Sequence, residues 1–164
     1  MTHTTQGWYA AYTMPKFEKK IYVELMKRNV ETYLPIQQVF RQWSDRVKKI
    51  EVPLFPNYIF IRNHPRNADR AIQTKGILKF VTFDGRPATI SEDNIAVIRK
   101  LEAEELEVEP YLVEGTAVRI IRGPLAGFQG KLFSKKGKSR FGVHVDTIGQ
   151  SLSLEVPAQY LERV

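Results

Sequence analysis

The chain has 164 residues, of which 43% are hydrophobic and 26% charged, and its 25 Lys+Arg outnumber 18 Asp+Glu for a formal net charge of +7. That length holds one ordinary domain or two small ones, and the lack of any Cys excludes a disulfide framework, a thiolate nucleophile and a Cys-based zinc site. Residues 1–6 are polar and later apolar runs are broken by Pro, Asn or charge, so neither export nor membrane spanning is expected and a cytoplasmic location fits.

Charge is unevenly placed. Residues 1–101 hold 17 Lys+Arg against 9 Asp+Glu, residues 102–112 hold none against 5, and residues 113–164 hold 8 against 4. A basic block, an acidic joint and a second basic block suit two modules acting on a polyanion, because phosphate contacts supply salt-sensitive, sequence-independent affinity. The plainer alternative is surface charge that keeps the chain soluble.

In chain order, Trp8-Tyr9-Ala10-Ala11-Tyr12-Thr13 suits a strand, and Pro15 stands where a helix would begin. Over 17–29, Phe17, Ile21 and Leu25 recur at i, i+4 and i+8, while Lys16, Lys20 and Lys27 gather on another face, giving an amphipathic helix with a basic stripe. Strands are expected over 32–40 and 47–52 around the turn Gln42-Trp43-Ser44-Asp45-Arg46, a long hairpin with a cationic tip. Residues 57–61 read as a central strand. A short helix over 67–75 closed by Gly76, a strand over 78–83, and a helix from a Ser91 cap to about residue 105 follow, the last with Ile95, Ile98 and Leu101 on one face. The plan of residues 1–101 is α+β, an antiparallel sheet with flanking helices.

Residues 102–112 read as helix end plus acidic linker, with little apolar surface beyond Leu106 and Val108. From 113 to 164 only short strands are expected, at 117–121, 130–134, 140–146 and 151–156, in the spacing of a small SH3-like barrel. The glycines here are informative. Gly115 turns into a strand in which Val118 and Ile120 share a face, Gly123-Pro124 ends it, and Gly127 and Gly130 are read as bends with positive φ. The spacing V-x-I-x-x-G-P-x-x-G-x-x-G resembles the KOW motif of NusG-type transcription factors and several ribosomal proteins.

A second constellation is Pro53-Leu54-Phe55-Pro56-Asn57-Tyr58-Ile59-Phe60-Ile61, where Tyr58 and Phe60 share a face. Taken alone it reads as a core strand; with Trp8-Tyr9 it has more aromatic surface than one small sheet needs, enough to dock a partner helix. The running order W-Y-A-x-Y, amphipathic helix, Y-L-P, P-L-F-P-N-Y-I-F, G-x-x-x-F-V and KOW unit resembles the NusG/RfaH family over nearly the whole chain. Trp43 to Lys49 further resembles a W-S-D-R-x-K-K hairpin of the specialised UpxY-like paralogues, associated with long polysaccharide operons.

The resemblance implies an N-terminal NGN-type domain over 1–101 that binds the clamp helices of RNA polymerase. By matching position the contacts are Tyr9, Phe55, Pro56, Asn57, Tyr58, Phe60 and Phe80, an apolar groove capturing a helix. A facing contact falls on Asn67-Ala68-Asp69-Arg70, which departs from the hydroxyl-rich segment of the best-known specialised member; Asn67 or Arg70 would replace it, and the segment also reads as a helix start. Lys16, Lys19 and Lys20, with Arg46, Lys48 and Lys49 at the hairpin and Lys75 and Lys79 near Gly76, are candidates for upstream duplex or non-template DNA, against the ordinary reading of a solvated face. In the KOW domain over 113–164 the partner surface falls on Phe128 and Ile148. Ile148 stands where an aromatic is usual, which leaves recruitment of a ribosomal protein or termination factor open; Phe128 also reads as barrel core.

Some specialised relatives refold this domain into a helical hairpin. Here the Gly content and alternating β-branched residues favour the barrel. Catalysis has little support: His3, His64 and His144 are far apart, no Gly-rich phosphate loop precedes a Lys, and Glu92-Asp93 and Glu104-Glu105 lie on solvated segments. The expected protein is a monomeric, non-enzymatic elongation and antitermination factor without metal or cofactor, acting on selected operons. The alternatives are an RNA-binding or ribosome-associated KOW protein, and a general NusG with termination or translation-coupling roles.

Overall fold

The computed structural model describes residues 7–63, 71–110 and 114–164, apart from the side chain of Asn63. Its backbone separates into two units, Met1–Ile95 and Ala96–Val164.

In the first unit, β1 (Gly7–Thr13) lies between β5 (Tyr58–Asn63) and β6 (Ile77–Phe80), and β2 (Thr32–Tyr33) flanks β5 on its other side; all the pairings are antiparallel. A further short strand, β9 (Thr89–Ile90), pairs with the start of β1. The expected central strand is therefore interior, starting one residue later and ending two residues later than expected. Cross-strand partners share a face, so Tyr9 sits with Ile61 and Ala11 with both Ile59 and Phe80. This face meets Ile21 and Leu25 of α1 (Glu18–Lys27), and the cluster is buried. The opposite face carries Trp8, Ala10 and Tyr12 across from Arg62, Phe60 and Tyr58. Trp8 and Phe60 are buried too, so the sheet has apolar material on both sides, which explains its near-continuous hydrophobic strands.

Three expectations change in this unit. The run 32–40 is broken at Pro35, giving β2 and a separate β3 (Ile36–Gln42) that pairs with β4 (Val47–Pro53) as a two-stranded hairpin. The basic stripe on α1 is also shorter than expected, because Lys16 precedes the helix with φ +66°. The strand expected over 78–83 divides into β6 and β7 (Thr82–Phe83), the latter pairing with β8 (Arg86–Pro87). Of the helix expected over 67–75, residues 67–70 lie outside the described residues.

The helix α2 (Glu92–Leu101) starts as expected, with the Asn94 N–H donating to Ser91 Oγ at 3.1 Å. It ends four residues before the expected limit. Glu107–Pro110, within the stretch read as linker, is instead a strand, β10.

In the second unit the strands β11 (Thr116–Ile120), β12 (Gln129–Lys135), β13 (Lys138–Val145), β14 (Gln150–Leu154) and β15 (Leu161–Arg163) form a barrel-like sheet ordered β10-β14-β13-β12-β11-β15. Val118, Ile120, Phe141, Val145, Leu152 and Leu154 fill its core. Gly127 has the positive φ expected of it, +97°, whereas Gly130 does not. Gly130 is required for space: a Cβ there would collide with the Gly142 carbonyl oxygen and lie 2.8 Å from the Phe141 ring.

Candidate functional site

The aromatic constellation is organised by a tight turn. Between Leu54 and β5, the Tyr58 N–H donates to Phe55 O at 3.2 Å and Asn57 has φ +71°, the signature of a type II turn with Pro56 at its second position and Asn57 at its third. Two further bonds fix it: the Thr13 N–H donates to Asn57 O at 2.9 Å, and the Asn57 N–H donates to Glu18 Oε1 at 3.1 Å. Glu18 is buried, at 5% exposure, and ties the first turn of α1 to this loop. Sequence reading missed Glu18, because an acidic residue in a first helical turn ordinarily needs no explanation beyond the helix dipole.

The turn presents Pro56 and Asn57 to solvent, with Tyr58 half-buried behind them. The Tyr58 ring lies 5.1 Å from Tyr12, and Lys79 Nζ sits 5.7 Å from the Tyr12 ring centroid. Burial, and then the neighbouring Tyr12, push the Tyr58 phenol above its ordinary pKa, keeping it a neutral donor. Phe55 and Phe60 meet edge to face at 6.2 Å, Tyr33 stacks on Phe60 at 6.2 Å, and both phenylalanines are buried.

The expected contact set is thus not a single open groove. Phe55, Phe60 and Phe80 are core side chains at 1%, 0% and 5% exposure, and Tyr9 is buried at 9%. Tyr9 and Phe80, with ring centroids 6.0 Å apart, lie on the α1 side of the sheet, whereas Tyr58 and Phe60 lie on the other. The sheet separates what the sequence order groups. Pro56, Asn57 and Tyr58, joined by Tyr12 and Lys79, form the accessible set. Asn67 and Arg70 lie outside the described residues, as do His3 and His64.

The cationic candidates fall into two groups. On and before α1, Lys16, Lys19 and Lys20 are exposed, but Lys19 Nζ donates to Glu51 O at 3.0 Å and Lys20 Nζ lies 5.2 Å from the Phe17 ring centroid. On the β3–β4 hairpin, Arg46, Lys48 and Lys49 are exposed alongside Phe40, Trp43 and Val47. Phe40 pairs with Lys49 and Gln42 with Val47 on one face, while Arg41 and Lys48 share the other and Lys48 Nζ lies 5.4 Å from the Trp43 ring centroid. The hairpin therefore joins cations to exposed aromatic area, a combination suited to phosphate and base contact. Sequence reading gave the hairpin its cations and missed the exposed aromatic area of Phe40 and Trp43. Lys75 is exposed just before Gly76.

In the second unit Phe128 is half-buried, but Ile148 is buried at 8% within a 3-10 turn, so only Phe128 offers surface. His144 is half-buried with Nδ1 3.0 Å from Ser151 Oγ, a structural pairing along β13 and β14.

Comparison with known proteins adds family membership. A family model described as "Transcription termination factor nusG" matches residues 6–99. The chain is 27% identical to a transcription termination/antitermination protein NusG of Thermus thermophilus over 176 residues, covering 91% of this chain and 94% of the relative. It is 25% identical to the protein of that name from Pseudomonas aeruginosa over 174 residues, covering 96% and 98%, and 24% identical to that of Pasteurella multocida over 182 residues, covering 99% of each. Among solved structures, Thermotoga maritima NusG aligns over 98% of both chains with a TM-score of 0.60 and 21% identity, a likeness of fold. No helix among the described residues is long and apolar enough to cross a membrane. With the α+β unit, the KOW-type barrel and a family match over most of the first unit together, the chain belongs to the NusG family of transcription termination/antitermination proteins.

Proposed function

We propose that this chain is a specialised elongation factor of the family, cytoplasmic and monomeric, that binds RNA polymerase and promotes processive transcription of selected operons. The observation that carries the reading is the Phe55–Tyr58 turn, where Pro56, Asn57 and Tyr58 are held outward by Glu18, by Thr13 and by the buried Phe55–Phe60 pair. A rigid, partly apolar projection of this kind docks against a helix pair such as the polymerase clamp helices with little ordering cost. Phe55, Phe60, Tyr9 and Phe80 act from the core as supports. The β3–β4 hairpin reaches nucleic acid through Arg46, Lys48 and Lys49, and its likeness to the UpxY-like hairpins supports a restricted set of targets.

The mechanism is mechanical, without an enzymatic step. A factor that binds the closed, processive polymerase better than its paused form shifts the population toward elongation. The barrel then recruits a second protein from a high effective concentration, through Phe128 and its surroundings. Asn67 and Arg70 remain candidates for a second polymerase contact.

The test is Tyr58→Ala in the full chain. Polymerase affinity falls by about 2 kcal/mol or more while the thermal transition stays near wild type. Unchanged affinity in the folded variant removes Tyr58 as the anchor, and a wild-type chain that does not bind polymerase favours an RNA-binding or ribosome-associated KOW protein. Genome-wide occupancy separates the remaining readings: enrichment on a few long operons supports specialisation, and uniform coverage supports a general NusG.

A further inference from the structure

The segment Glu107–Pro110 is the least expected part of the second unit. Its strand β10 pairs with the edge of β14 through Glu107–Ser153, Val108–Leu152, Glu109–Ser151 and Pro110–Gln150. Val108 is only half-buried, and none of the buried apolar core of the barrel comes from β10. Ionic contacts hold the strand instead. Lys135 Nζ reaches Glu107 Oε2 at 2.6 Å and Glu109 Oε1 at 2.7 Å, the Ser153 hydroxyl donates to Glu109 Oε1 at 2.9 Å, and Arg140 donates from Nε to Ser153 Oγ and from Nη2 to Ser153 O, both at 3.0 Å. Beside the strand an open cavity of about 530 Å3 is lined by Glu105, Leu106 and Glu107 on one side and Arg140 and Glu155 on the other. A strand held by charge, next to unfilled space, separates from a complete core more readily than one that supplies core side chains.

We propose that β10 is a displaceable strap, and that the β14 edge beneath it takes an extended acidic segment of a partner protein when β10 lets go. An uncovered edge strand offers a row of backbone donors and acceptors, the template for strand addition. The occupant's chemistry is set by what faces it. Carboxylates at alternate positions meet Lys135 and Arg140, with a small apolar residue between them over Leu152, as β10 itself provides. The chain's own strand has the advantage of a tether, so a partner prevails only when it is concentrated or when the ionic contacts are weakened.

The experiment uses the full chain carrying Glu107→Lys and Glu109→Lys, with a fluorescent peptide of the natural sequence 104–110 as probe. The expected result is that this variant binds the peptide about tenfold or more tightly than wild type, whose own strand competes for the edge. A peptide with lysines at 107 and 109 does not bind. A folded variant that ignores the natural peptide overturns the proposal.

Backbone hydrogen exchange with the milder Glu107→Gln covers the case in which the double variant fails to fold. Exchange that quickens in β10 and β14 while β11 to β13 keep their protection supports a strap. Exchange that quickens across the whole barrel together, or nowhere, makes β10 an integral strand and overturns it.

Discussion

The two units solve the problem of a small core in opposite ways. In the first, the sheet buries aromatic and aliphatic side chains on both faces, and among the described residues Glu18 is the one charged side chain buried with them. In the second, the core is slim and charge moves inward: Glu109 and Arg140 are buried at 6% and 8% exposure and share Ser153. Apolar burial is tolerant of direction, so the first unit leaves its turns and hairpins free to vary as contact surfaces. A buried polar network tolerates only one register. Sliding β10 along β14 would separate Glu107 and Glu109 from Lys135, and so the network specifies pairing more than it adds stability.

Four measurements break or sharpen this contrast. The largest effect is expected from Phe60→Ala, which empties a fully buried ring site and destabilises the first unit by about 3–5 kcal/mol in denaturant unfolding. Barrel amides keep their exchange protection; a matching loss there would mean the two cores are not independent. Next comes Arg140→Leu, which takes two donors from Ser153, the residue whose hydroxyl bonds the buried Glu109, and costs about 1–3 kcal/mol, read on barrel amides alone. If this variant is as stable as wild type, the polar network is dispensable.

A smaller effect is expected from pH. The Lys135 ammonium bonded to Glu107 holds that carboxyl below its ordinary range, and the same contacts raise Lys135. A depressed carboxyl contributes stability that is complete above its unfolded pKa and lost as pH falls through the folded value; a raised ammonium contributes below its unfolded pKa and is lost as pH climbs through the folded one. Protection of β10 therefore holds near neutral pH, declines in acid below the usual Glu range, and declines again in strong alkali. A flat acid profile in β10 amide exchange would show that the ion pairs contribute nothing. The smallest effect is Phe40→Ser: at 72% exposure this side chain supports no core, and the expected change is within about 0.5 kcal/mol by thermal denaturation. Weakened binding of single-stranded nucleic acid by that stable variant would place the hairpin's aromatic surface in contact with bases.

Much of the fold was legible because its signals are local. The i, i+4, i+8 spacing of Phe17, Ile21 and Leu25, the Ser91 cap and the Gly-Pro punctuation of the barrel each report on a few neighbouring residues. The candidate site was half legible. Tyr58 and Phe60 share a face as their spacing implies, but Asn57, read as the start of the strand, lies in the turn before it. That Tyr9 and Phe80 belong to the other face follows from cross-strand register, which no local pattern fixes.

The sequence by itself carried the motifs through which the chain resembles its family, and it determined the alternation of a small β barrel, since periodicity and turn residues act over short range. Tertiary structure alone decided which aromatics are supports and which are surface, and why Gly130 must be glycine. It also decided that Glu107–Pro110, within an acidic run, is a strand. Burial and ion pairing depend on partners dozens of residues away: Glu109 acquires its role only when Ser153 and Lys135 fold against it.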